Sequence, residues 1–293
     1  MGTGDRAKAH PQPIRTTLIE KQRKPEAVLE HIGEGDDLIV GMFNSEPLTV
    51  IDALEANAGR LSDVRIHQMF PFRERPYMHG DFAGLRHVSW FLSPAIREAF
   101  HNNTCDLVPN NFSEVPALMR RTTKCSLVLA AVSPPDRYGY FSLGLHADYL
   151  AALIGEAPFF VEVNHQMPRT YGENQLHISQ VVGWCEADYP LTELPARPVR
   201  QTDRRIAGYV AERIPNGATL QAGIGESQKA WDLIDELRIS VGTFHPTTDT
   251  QMVLYDHELQ RVHDLGDARR GLACSRPRKD CQPSCGWCCS LGE

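Results

Sequence analysis

Short, uninterrupted apolar runs alternate with amphipathic ones from about residue 32 onward, and this alternation constrains the fold more than any other feature. Asp37-Leu38-Ile39-Val40-Gly41-Met42 reads as a buried strand, and Pro47 then opens a helical pattern through Leu48, Ile51, Leu54 and Ala58, proline being well placed in a first turn. Val64-Arg65-Ile66-His67-Gln68-Met69 alternates with the period of a strand. Ser93-Pro94 opens a helix ending near Asn102-Asn103, and Ser113 reads as the cap of another. Leu127 to Val132 is a second buried strand, a helix is expected over 148–154, and Phe159-Phe160-Val161-Glu162-Val163 follows as a third. Strands that are apolar on both faces and alternate with helices predict an α/β fold, a mostly parallel sheet with helices on both faces.

Composition sets outer limits. Of 293 residues, 42% are hydrophobic and 23% charged, enough apolar material for a core. A net charge of −7 argues against a general nucleic-acid binder, which would carry a basic face. The longest mostly apolar run, 125–132, falls far short of the roughly 20 residues needed to cross a bilayer. The N-terminus is polar and basic without an apolar core, so it reads as a loose tail, with organelle targeting as a minor alternative. The expected location is cytoplasmic.

Four regions are expected: an extension over 1–29, a lobe over 30–190, the start of a second lobe over 191–240, and an irregular Cys-rich tail over 241–293. The Pro-rich run 190–198 reads as the linker between the lobes. After it come an expected helix over 203–213, a turn at Pro215-Asn216-Gly217, and a strand from Ala218 to Ala222. Cys105, Cys125 and Cys185 are far apart and read as reduced structural residues. Five more, Cys274, Cys281, Cys285, Cys288 and Cys289, crowd the tail. A zinc site would space two ligand pairs across a structured knuckle. Here nothing frames the cysteines, so the expectation is no metal and a tail unrelated to the body, as from an altered reading frame.

Three clusters could carry chemistry. Gly223-Ile224-Gly225 joins an expected strand to an expected helix over 227–237, an arrangement that turns backbone amides toward an anion or a thioester. Such turns more often merely reverse the chain, and this one is neither a full dinucleotide fingerprint, since Gln228 replaces the third glycine, nor a P-loop. Ser133-Pro134-Pro135-Asp136 with Gly139-Tyr140-Phe141-Ser142-Leu143-Gly144 follows a buried strand, where open α/β sheets place binding crevices; a proline-fixed turn with an aromatic plug explains it equally well. Asn164-His165-Gln166-Met167-Pro168-Arg169-Thr170 could orient a carboxylate or phosphate, or satisfy loop backbone groups. His177 reads as structural.

Taken in order, these segments resemble the acetyl-CoA hydrolase/transferase family, which includes 4-hydroxybutyrate and acetate CoA-transferases. The resemblance is carried by Pro47-Leu48, Phe91-Leu92-Ser93-Pro94-Ala95-Ile96-Arg97-Glu98-Ala99, Val108-Pro109 and the two clusters around Ser133 and Gly144. It continues through Glu162-Val163-Asn164, Gln166-Met167-Pro168-Arg169-Thr170, Pro190-Leu191, Ile206-Ala207 and Ala218-Thr219-Leu220-Gln221 to Gly223-Ile224-Gly225. It implies an acyl-CoA enzyme of two similar α/β lobes and a homodimer. Its substrates would be acyl-CoA and a small carboxylate such as acetate, or water as acceptor in hydrolysis. A glutamate carboxylate attacks the thioester to give an acyl-glutamyl anhydride and then a glutamyl-CoA thioester. Gly223, Ile224, Gly225, Glu226 and Ser227 match the stretch that contacts CoA in the family.

The family's nucleophile lies in a Gly-x-His-x-Glu segment. Counting forward, Gly242 matches the glycine, but Phe244 stands at the histidine and Pro246 at the glutamate. Proline cannot form an acyl anhydride, and neither Glu226 nor Glu236 sits in its place. The remainder of the family's C-terminal lobe has no counterpart, so a truncated chain is expected. The alternative to a transferase or hydrolase is therefore a catalytically dead CoA-binding remnant.

Overall fold

The apolar runs become neighbouring strands of one parallel seven-stranded sheet in the order β4-β3-β2-β1-β5-β7-β9. Its strands are β1 (Asp37–Val40), β2 (Val64–Gln68), β3 (Leu85–Ser89), β4 (Cys105–Leu107), β5 (Leu127–Val132), β7 (Phe159–Asn164) and β9 (Val181–Ala187). A small antiparallel pair, β6 (Tyr140–Ser142) with β8 (Gln175–His177), stands apart from it. The structure, a computed structural model, describes residues 14–193 and 200–213 and the backbone of two short strands farther on. The chain divides into two compact units, Met1–Thr192 and Glu193–Glu293.

Period-two geometry explains why the strands are apolar throughout. Leu38, Val40, Leu127, Leu129 and Phe160 enter one buried cluster, whereas Ile39, Val128, Ala130, Val132, Phe159, Val161 and Val163 enter another. Alternate side chains point to opposite faces, and both faces are covered. On the first, helix α2 (Leu48–Ala56) contributes Val50, Ile51 and Leu54. On the second, α4 (Val115–Thr122) contributes Val115 and Met119, and α5 (Asp148–Ala151) contributes Tyr149 and Leu150. Helix α3 (Arg97–His101) leads into β4.

Several expectations are corrected. The expected extension was 1–29, yet α1 (Ile14–Lys21) and a 3-10 helix at Pro25–His31 belong to the first unit. Lys21 Nζ donates to the carbonyls of Ile178 (3.0 Å) and Val181 (2.7 Å), and Trp184 Nε1 donates to Leu18 O at 2.9 Å. Helix α1 buries none of its own residues, so it leaves no apolar period to read; polar bonds to the β9 edge hold it. Ser113 caps nothing. It lies inside a 3-10 turn, Phe112–Glu114, that leads into α4 behind Glu114. The helix expected over 148–154 is only α5, followed by turns.

In the second unit, α6 (Gln201–Ala211) opens with Asp203 Oδ2 accepting from the Arg200 amide at 2.9 Å. Within the stretch read as irregular, β10 (Val253–Asp256) pairs antiparallel with β11 (Arg261–Asp264). Among the described residues, no helix is long and apolar enough to cross a membrane.

Candidate functional site

Strand order reverses at β1, with β2, β3 and β4 on one side and β5, β7 and β9 on the other. The crevice beyond the carboxyl ends of β1 and β5 is therefore the topological switch point, where open parallel sheets bind ligands. The turns that line it follow β1 (Gly41 to Glu46), β2 (Met69 to Arg75), β5 (Ser133 to Asp136) and β7 (His165 to Thr170).

The β1 turn is tight. A Cβ on Gly41 would lie 2.5 Å from Ser45 Cβ and 2.7 Å from its carbonyl oxygen, so only glycine fits. Phe43 then adopts φ +49°, and Phe70, after β2, adopts φ +51°. Bulky residues rarely occupy this region, at a cost on the order of 1–3 kcal/mol each. The two turns are tied by the Phe43 amide donating to Phe70 O at 3.3 Å. The Phe43 ring lies 4.6 Å from those of Phe70 and Phe72 and 5.1 Å from His146, and Phe91 stacks on Phe70 at 4.6 Å.

Polar groups clamp these turns. Tyr149 OH donates to Val40 O (2.5 Å) and accepts from the Met69 amide (3.2 Å), spanning the ends of β1 and β2. Gln68 Nε2 donates to Gly41 O at 3.1 Å, and Ser45 Oγ donates to His146 O at 2.9 Å. Asn44 exchanges two hydrogen bonds with the Thr192 backbone, at 3.1 and 2.8 Å. Glu46, 1% exposed, meets Arg75 Nε at 3.2 Å, while Arg75 Nη1 reaches Asp52 (2.5 Å) and Glu55 (3.3 Å). Burial opposes the charge on Arg75, but Asp52, Glu46 and Glu55 outweigh it and raise its pKa. Burial also lifts the Glu46 carboxyl above its usual range, against the pull of Arg75 and Gln68.

Asp148 belongs to the same rim. Its backbone has φ +36°, and its Oδ1 accepts from the Leu150 amide at 2.9 Å. Its buried Oδ2 has no partner. Desolvation pushes this carboxyl up to about 7, so it sits at the edge of protonation near neutral pH.

The β5 and β7 turns differ in kind. Ser142 Oγ donates to Thr170 O (2.9 Å) and accepts from the amides of Gly144 and Thr170, both at 3.1 Å. Ser133 Oγ accepts from the Ser142 amide at 3.0 Å, and Thr170 Oγ1 donates to Gly144 O at 2.7 Å. The two polar clusters singled out in the sequence thus meet in one knot. Arg169, a candidate anion anchor, spends its guanidinium on Gln175 Oε1 and the carbonyls of Pro134 and Tyr140. Asn164 binds the Tyr189 backbone, and His177 accepts from the Ser179 amide. His165 is exposed. The buried Glu162 instead accepts from the Thr49 and Val50 amides at the start of α2, and from Tyr189 OH at 2.5 Å.

Gly223, Ile224, Gly225, Glu226, Ser227 and Pro246 lie outside the described residues, as do the tail cysteines. Among the described residues, no group of three or more His, Cys, Asp or Glu side chains could hold a metal ion. Sequence reasoning missed Phe43, Phe70, Glu46, Arg75, Asp148 and Tyr149. Gly41 beside a buried strand was the one available signal for the first of these turns.

The motifs that carry the resemblance fall at this carboxyl rim: after β1 (Pro47), β3 (Phe91), β4 (Val108), β5 (Ser133), β7 (Gln166) and β9 (Pro190). A family profile described as the acetyl-CoA hydrolase/transferase N-terminal domain matches residues 5–200. The chain belongs to this family. Succinyl-CoA:cyclohexane-1-carboxylate CoA transferase of Geobacter metallireducens is 34% identical over 195 residues, covering 66% of this chain and 45% of that protein. The 4-hydroxybutyrate coenzyme A transferase of Clostridium kluyveri is 31% identical over 209 residues, covering 70% and 49%. Among solved structures, RipA from Yersinia pestis superposes with a TM-score of 0.69 at 28% identity, over 78% of this chain and 57% of that one. A 4-hydroxybutyrate CoA-transferase from Porphyromonas gingivalis gives 0.63 at 25% identity, over 76% and 53%. The chain spans about half the length of the curated relatives it matches.

Proposed function

We propose that this chain provides the N-terminal lobe of an acyl-CoA site, in a protein that moves CoA between an acyl-CoA and a small carboxylate such as acetate, or hydrolyses the thioester. The observation that carries this reading is the family match over residues 5–200, on a sheet whose carboxyl edge opens a switch-point crevice at β1 and β5. In the proposed chemistry a glutamate carboxylate attacks the acyl carbonyl and expels CoA thiolate, leaving an acyl-glutamyl anhydride. The thiolate attacks the glutamyl carbonyl and releases the first carboxylate, and an acceptor carboxylate reverses both steps. Backbone amides of the Gly223 to Ser227 stretch are proposed to contact CoA, with the protein acting as a homodimer in the cytoplasm.

A second reading has its own support. Pro246 occupies the position matched to the nucleophile, which favours a lobe that binds CoA without turnover. Incubation of the full chain with acyl-CoA and labelled acetate, followed by mass spectrometry for a glutamyl adduct, separates the two. Label exchange with an adduct supports transfer, and binding without either supports the second reading. Failure to bind any CoA thioester overturns both.

A further inference from the structure

We infer that Phe43, Phe70, Phe72 and Phe91 form an apolar wall that selects bulky, ring-bearing acyl groups over acetyl groups at the switch-point rim. The inference rests on the acyl-CoA reading above and deepens it by naming the acyl class.

Phe43 belongs to the buried core, and Phe70 and Phe72 pack against it, but core packing alone does not explain the backbone of the cluster or the exposure of Phe91. Rings that only fill a core need no left-handed backbone, yet Phe43 and Phe70 both have positive φ and are held so by the Tyr149, Gln68 and Ser45 bonds. Unusual backbone held by a surrounding clamp is a recurrent property of ligand sites. Exposure is also graded: Phe43 is buried, Phe70 and Phe72 are half-buried, and Phe91 is 47% exposed while stacked at 22° on Phe70. That gradient leaves a flat aromatic face open at the carboxyl end of the sheet, a surface suited to another ring.

The charge buried beside the wall is already matched, since Arg75 is surrounded by Glu46, Asp52 and Glu55. His146, which touches Phe43, has its pKa lowered by burial to about 4, so it is neutral near pH 7. An acetyl group has one methyl to set against four rings.

Calorimetric titration of the full chain with benzoyl-CoA, acetyl-CoA and free CoA tests this. Benzoyl-CoA is expected to bind about tenfold more tightly than acetyl-CoA. Phe91→Ala, at an exposed position, is expected to remove about fivefold of that preference while leaving free CoA affinity unchanged. Phe70→Gly repeats the test at a position where glycine adopts the backbone without strain. Equal affinities for benzoyl-CoA and acetyl-CoA, or a preference that survives both substitutions, overturns the wall and leaves the acyl-CoA reading standing. No binding of any CoA species, free CoA included, overturns that reading itself.

Discussion

The two sides of the switch point are built on opposite plans. On the β5–β7 side, Ser133, Ser142, Gly144 and Thr170 satisfy one another, and Arg169 is consumed by protein oxygens. On the β1–β2 side, two phenylalanines sit in left-handed backbone, a buried carboxylate leans on one arginine, and Asp148 keeps an unpartnered oxygen. The polar-rich side therefore behaves as scaffold, and the aromatic side holds the strain and the unmet bonding capacity. Polar density in a sequence shows where loops need internal bonds; it does not by itself show where a ligand binds.

The contrast can be broken by substitution. Arg75→Ala carries the largest expected effect, because it strands Glu46 in the interior; the loss should be about 3–5 kcal/mol in urea unfolding. A loss below about 1 kcal/mol would mean that the β1–β2 side does not depend on this ion pair.

Asp148→Asn should act in the opposite direction and depend on pH. Burial pushes the folded carboxyl up to about 7, above its ordinary value of 3.8, so between these the native state holds a proton that the unfolded chain has released. Stability should fall as pH rises from about 4 to about 7, and the penalty should be complete above that window. Asparagine removes the charge, so the variant should gain about 2–4 kcal/mol at pH 8 and nothing near pH 4. Equal gains at both pH values would show that titration of Asp148 is not the cause.

Ser142→Ala is the smallest expected effect and the control for the scaffold side. It leaves two amides without their acceptor and should cost about 2 kcal/mol, with acyl-CoA affinity unchanged. A selective loss of affinity would move the ligand to the β5–β7 side.

The sheet was legible where nearly every residue of a strand is apolar, as in Leu127 to Val132, because burial on both faces leaves that signature. It was less so in β3, where Arg86 and His87 interrupt the run; His87 is buried and neutral, its pKa lowered by burial to about 3. β9 carries Gly183 and Glu186 and was not singled out either. Helix α1 escaped because it buries no residue fully: Leu18 packs against the core, and polar bonds from Lys21 supply further support. Within the site, the crevice loops after β5 and β7 could be located, but their bonding partners are far apart in sequence: Ser142 and Thr170 are separated by 28 residues. Left-handed backbone is signalled by glycine or asparagine, so Phe43 and Phe70 gave no warning. Asp148 looked like an ordinary acid near a helix start, and only its burial reveals otherwise.

Hydrogen–deuterium exchange on the full chain, with and without benzoyl-CoA, tests most directly whether ligand engages the β1–β2 side of the rim. Exchange should slow at the amides of 41–46 and 69–75, with little change at 140–144 and 166–170. Protection confined to the second pair of segments, or absent from the rim while the ligand is bound, would contradict the account.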